Sequence, residues 1–205
     1  MRIRVVEMSG TLSSVPGITQ SAMRAFFPSQ TVRCLGLPLF SSQLSRDVGC
    51  LLDVDDDVES WSCSPRAFSQ GDDIHYPTFF VERRSGASVI DICEAVQVPS
   101  WMKDEATKQG LLYEAISRRD IPAIRLKNAK DLLRYARYEV GLDDRIRLLA
   151  ALDENGSLVV AECMSAFRSV APVPGLASLI LNRIVTVNLD EAPIGPETIV
   201  RRFRG

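Results

Sequence analysis

Hydrophobic and polar positions alternate most clearly in residues 75–93. Two runs of β-branched and aromatic residues flank the polar stretch Arg83-Arg84-Ser85-Gly86. The pattern predicts a β-hairpin, with Gly86 free to take positive φ at the turn. Side chains alternate across a strand, so Val89, Asp91 and Cys93 share one face and Ile90 and Ile92 the other. On the first strand Thr78 and Phe80 share a face.

Other segments follow from the same reading. Upstream, a helix is expected over residues 41–52, capped by Ser41 or Ser42, with Leu44, Val48, Leu51 and Leu52 on one side. Strands are expected at 31–35 and 58–63, and a loop at 65–73. Ile3 and Val5 suggest a short strand, and residues 19–27 a helical turn or two stopped by Pro28. Downstream, Ser100 caps a helix expected over 101–118, with Leu111, Leu112, Ala115 and Ile116 as its buried stripe. A short strand at 123–126 and a helix opened by Asn128 follow.

Beyond residue 140 the rhythm changes. Helices are expected from Asp143 or Asp144, over 157–167 and over 176–181. A strand at 184–189 and a return strand at 198–200 complete the chain. Three helices followed by a small hairpin form a winged-helix arrangement. The expected architecture is therefore α/β: a mixed sheet flanked by helices in residues 1–140, then a small winged-helix domain in residues 141–205 with a basic tail.

Composition narrows this picture only a little. The 205 residues are 46% hydrophobic and 24% charged, as in an ordinary globular chain. A net charge of −2 gives no global attraction for nucleic acid. The balance is uneven, with 8 basic against 12 acidic residues in 1–98 and 16 against 14 in 99–205. Basic patches are thus expected in the second half. No apolar run approaches the roughly 18 residues that a membrane crossing needs. The first residues also lack the pattern of a signal peptide, so a cytoplasmic protein with no membrane partner is expected. The five cysteines contain no C-x-x-C pair and read as reduced thiols, and a single His argues against zinc.

Candidate chemistry is sparse. Asp53, Asp55, Asp56, Asp57 and Glu59 lack the Gly and Glu of a calcium loop and read as a solvated turn. His75 reads as a surface histidine, and Trp61 and Trp101 as core or interface anchors. Residues 176–181 hold no Lys or Arg, so their apolar face suits packing or a protein partner rather than base reading. Arg134, Arg137, Arg145, Arg147, Arg183, Arg201 and Arg202 are the candidate DNA contacts, expected to be weak, salt-dependent and sequence-independent.

Several short matches occur in a fixed order. Pro28-Ser29 precedes Val32-Arg33-Cys34. Ser42-Gln43-Leu44-Ser45-Arg46-Asp47 precedes Leu52-Asp53-Val54-Asp55. Val58, Pro65 and the hairpin follow, then Asn128-Ala129 with Leu132-Leu133-Arg134-Tyr135. In this order they resemble the TnsA-like transposon endonucleases over residues 28–200. The resemblance implies a restriction-endonuclease-like fold that nicks DNA at transposon ends, beside a transposase and an ATPase regulator. Of the three side chains that carry cutting in that family, the Glu falls on Ser45, the Asp on Thr78 and the Lys on Cys93. Only Asp91 remains a carboxylate.

Mg²⁺ takes oxygen ligands and usually needs one or two carboxylates besides substrate phosphate. Asp47 points about 200° around the helix from Ser45. Glu94 faces away from Cys93. Asp72 and Asp73 precede the hairpin, and Asp73 is the acid left to join Asp91 if Mg²⁺ binds. The expectation is a degenerate, non-catalytic subunit without a cofactor. It would act as a DNA-associated or scaffolding component of a mobile-element complex, with a transposase-like or regulatory partner. Two alternatives stand beside it: an active Mg²⁺-dependent endonuclease with a rearranged site, and a repurposed protein-interaction module.

Overall fold

The computed structural model describes residues 26–63, 66–94 and 98–205. The strand expected at Ile3 and Val5, most of the turns at 19–27, and Pro65 lie outside them. The described chain is mixed α/β, with a mixed sheet flanked by helices.

The first helix, α1 (Gln43–Val54), starts where a reciprocal cap fixes it. The Ser45 amide donates to Ser42 Oγ and the Ser42 amide donates to Ser45 Oγ, both at 3.1 Å. Strand β1 (Val58–Cys63) follows, then the hairpin β4 (Phe79–Arg83) and β5 (Gly86–Ile92). Its turn is the expected one, with Arg83 opposite Gly86 and Gly86 at φ 136°. The segment expected to be a loop at 65–73 instead carries a small hairpin, β2 (Phe68–Gln70) and β3 (Asp73–His75). Phe68 is buried against α2 (Met102–Lys108), which gives these short strands the core contact they need.

The long helix expected over 101–118 stops early. Gly110 adopts φ 72° and ends it, a backbone state that suits glycine. Leu112–Ile116 then forms β6, which pairs in parallel with β5. The supposed stripe is accordingly not buried as one face: Leu111 is buried, but Leu112 and Ala115 are exposed. The order β1-β4-β5-β6 makes a four-stranded sheet, antiparallel except at β5–β6. One face packs on α1 through Val48, Leu52, Trp61, Phe79, Val81 and Ile90. Trp61 and Phe79 meet edge to face with ring centroids 5.5 Å apart. The other face packs on α2 through Val89, Met102, Ala106 and Leu111.

Two further expectations change. Residues 31–35 make no strand, only a single parallel bridge from Cys34 to Trp61. Residues 123–126 open a helix, α3 (Ala123–Leu133), because Pro122 presets the chain just before its first turn. Asn128 therefore sits inside α3 rather than capping it.

The remainder is α4 (Leu142–Asn155), β7 (Leu158–Val159), α5 (Val160–Cys163), α6 (Pro172–Leu181), β8 (Val185–Val187) and β9 (Ile199–Arg202). The last three strands form an antiparallel sheet in the order β7-β9-β8. α6 starts four residues before the expected 176, with Pro172 at its first position. One core runs across residue 140. Cys50 and Val54 of α1 and Ala129, Leu132 and Leu133 of α3 join Leu148, Leu152, Phe167, Leu176, Leu179 and Val200.

Candidate functional site

The hairpin brings Asp91 to the α2 face of the sheet, as the alternation requires. Only 3% of Asp91 is exposed. Its Oδ2 accepts from the Tyr113 hydroxyl at 3.0 Å and lies 2.9 Å from His75 Nε2. Tyr113 comes from β6, two strand positions from Ala115, which stands opposite Asp91. His75 comes from β3, whose pairing with Phe68 turns it inward. Burial, and then the Asp91 charge, push the Tyr113 hydroxyl up from its ordinary value, so it stays a neutral donor. His75 is thus no isolated surface residue, as the sequence suggested. It joins β2–β3 to the central sheet through Asp91.

Ser45, Thr78 and Cys93 have local structural work. Ser45 is fully buried, and its hydroxyl donates to Ser42 O at 2.7 Å while closing the cap of α1. Thr78 Oγ1 accepts from the Ile92 amide at 3.3 Å and closes the open end of the hairpin. Cys93 lies just past β5, where its amide donates to Ile116 O at 2.8 Å. Asp73 opens β3 opposite Gln70 and is exposed. Glu82 accepts from Ser60 Oγ. Among the described residues, no three His, Cys, Asp or Glu side chains come together as a metal group.

Asp47 points away from Ser45, as expected, and has its own partners. Gln43 and Lys130 reach Oδ1 at 2.7 Å each, and Arg118 reaches Oδ2 at 2.7 Å. Burial alone would raise this carboxyl, but Lys130, Gln43 and Arg118 outweigh it and hold it below the usual carboxylate range. Asp53 corrects the reading of the acidic stretch as solvated. It is fully buried, and its Oδ1 accepts from the Val32 amide, the Arg33 amide and Trp61 Nε1. Burial raises its carboxyl, and these three bonds only partly offset that.

The candidate DNA contacts differ in exposure and in partners. Arg134, Arg137, Arg145 and Arg201 are exposed. Arg147 donates to Ala166 O at 3.0 Å and pairs with Asp144. Arg202 pairs with Asp153 at 2.5 Å. Arg183, at φ 54°, reaches back across the chain to Asp55 O at 2.6 Å and to Val58 O. The apolar face of α6 is covered from within. Leu176, Ala177, Ser178, Leu179 and Leu181 are buried, and Ser178 Oγ donates to Tyr138 O at 2.5 Å.

The loop between β8 and β9 is also held. Asn128 Nδ2 donates to Leu189 O and Ala192 O, and Asn128 Oδ1 accepts from the Ile194 amide, all at 2.9 Å. Arg125 adds an ion pair to Asp190 at 2.8 Å.

Sequence reasoning missed Tyr113 and the true role of Asn128. A helix running through residues 111–116 hides Tyr113, although Gly110 before an apolar run is a stop signal. The sequence points Asn128 to a cap because Asn favours that position. The chain was compared with protein-family models and with curated proteins, and it matches none in either set.

Proposed function

We propose that this chain is a catalytically degenerate, TnsA-like subunit that serves as a DNA-associated scaffold in a mobile-element complex. The observation that carries this is the state of Asp91. One carboxylate oxygen already serves His75 and Tyr113. Mg²⁺ would need further oxygen ligands, and the neighbours supply a ring nitrogen, a phenol and the single hydroxyl of Thr78, itself bonded to Ile92. This donor set does not fit Mg²⁺. Cys93, at the position where the resemblance implies a lysine, supplies no ammonium for a nucleophile or leaving group.

The element order supports a restriction-endonuclease-like core: α1, β1, the β4–β5 hairpin, α2, parallel β6 and α3. Helices α4 to α6 with a three-stranded antiparallel sheet favour a winged helix after it. In that reading the third helix is α6. Its residues Gly175 to Leu179 and Leu181 are buried in the chain and its exposed Val173 is apolar, which disfavours base reading by this helix. The exposed Arg134, Arg137, Arg145 and Arg201 leave a salt-dependent phosphate contact.

Incubation with supercoiled DNA and Mg²⁺ tests the reading. No nicking is expected, with DNA retention that weakens steeply as salt rises. Metal-dependent nicking that vanishes in Asp91→Ala would overturn it. Co-purification with a transposase-like protein separates the scaffold from a module of unrelated use.

A further inference from the structure

The described cysteines are free, and two of them share one spot. Cys34 lies where the incoming chain meets β1. Leu35 N donates to Trp61 O at 2.7 Å, and Trp61 N donates to Arg33 O at 3.0 Å. Cys63 ends β1 two residues after Trp61, on the same face. Both thiols pack against the aromatic core on the α1 side of the sheet. Cys34 stands opposite Trp61 in the parallel bridge, one pleat from Cys63; its thiol donates to Leu35 O at 3.8 Å, and the Leu39 amide donates to Cys63 Sγ at 3.3 Å. Both residues are half-buried, whereas Cys50 and Cys163 are fully buried.

We propose that Cys34 and Cys63 are an oxidation site that closes to an internal disulfide by exchange with glutathione disulfide. The proposal does not depend on any DNA role. The surroundings set the order of attack. The Leu39 amide donates to Cys63 Sγ and so favours its thiolate, whereas the Cys34 thiol keeps its proton on Leu35 O. The thiolate is the attacking form, so Cys63 acts first. It bonds one sulfur of glutathione disulfide and expels the other half as a thiolate. Cys34 then gives up its proton and attacks the Cys63 sulfur, releasing the second glutathione. Two electrons pass from the cysteine pair to glutathione disulfide, and the two thiol protons end on the two glutathiones. The new bond staples residues 34–39, which carry exposed Leu35, Leu37 and Leu39, to the end of β1.

The test is to incubate the full native chain with glutathione disulfide, quench in acid, alkylate, and map the peptides by mass spectrometry. A cross-link between the Cys34 and Cys63 peptides is expected, with Cys50 and Cys163 alkylated only after denaturation. Cys34→Ser should stop at a single glutathione on Cys63. Should Cys34 and Cys63 stay free thiols in the wild-type chain, or should Cys93 take the glutathione in their place, the proposal fails. The wild-type map decides the question even if Cys34→Ser folds poorly.

Discussion

Two regions of this molecule concentrate buried polar groups, and they use them differently. At the hairpin, Asp91 meets only His75 and Tyr113 among the described residues. Where α1, α3 and the C-terminal part meet, Asp47, Asp53, Asn128 and Arg183 together hold main-chain groups and charges from distant parts of the chain. Here the strongest polar contacts secure shape.

The contrast is sharpest at Asn128. Asn128→Ala leaves two carbonyls and one amide without their partner, and a loss of about 4 kcal/mol in urea unfolding is expected. A loss no greater than that of an exposed substitution would break the comparison. Asp53→Ala strands three donors, including buried Trp61 Nε1, and should cost about 3 kcal/mol.

Asp47→Asn probes the charges at the same junction and should cost about 2 kcal/mol at neutral pH. The folded Asp47 carboxyl lies below its unfolded value. Its stabilisation is therefore present above the unfolded value and is lost as pH falls through the folded one. The gap between Asp47→Asn and wild type should narrow in acid, as unfolding measured along a pH series would record. Asp91→Asn keeps one acceptor for His75 or Tyr113 and should cost only about 1 kcal/mol. If it cost more than Asn128→Ala, the hairpin would be the centre of stability after all.

The smallest effect separates the charge of Asp53 from its bonds. Its folded carboxyl is raised, so the folded chain holds that proton more tightly than the unfolded one. Stability from this group is greatest in acid and falls as pH rises through the raised value. Asp53→Asn keeps the acceptor and removes the buried charge. It should lie within about 0.5 kcal/mol of wild type at pH 7, far from Asp53→Ala.

Local rules made part of this fold readable. The hairpin followed from alternation and Gly86, and α1 followed from the Ser42 cap. The parallel strand β6 did not, because its bonds go to β5, 24 residues earlier in each pair, and its apolar run fits either period. The strand placed at 123–126 failed because four residues after a proline fit a first helical turn as well. For the site, the alternation places Asp91 on the same face as Val89. Its partners were invisible, because His75 and Tyr113 reach it only through tertiary pairing. The buried state of Asp53 was masked by its acidic neighbours, which read as solvent-facing.

The core that runs across residue 140 has a practical consequence for anyone who expresses this protein in pieces. A fragment ending there would bare Cys50, Val54, Leu132 and Leu133, and the complementary fragment would bare Leu176 and Leu179. Neither half would behave as a clean soluble unit. Mixed together, they should rescue each other.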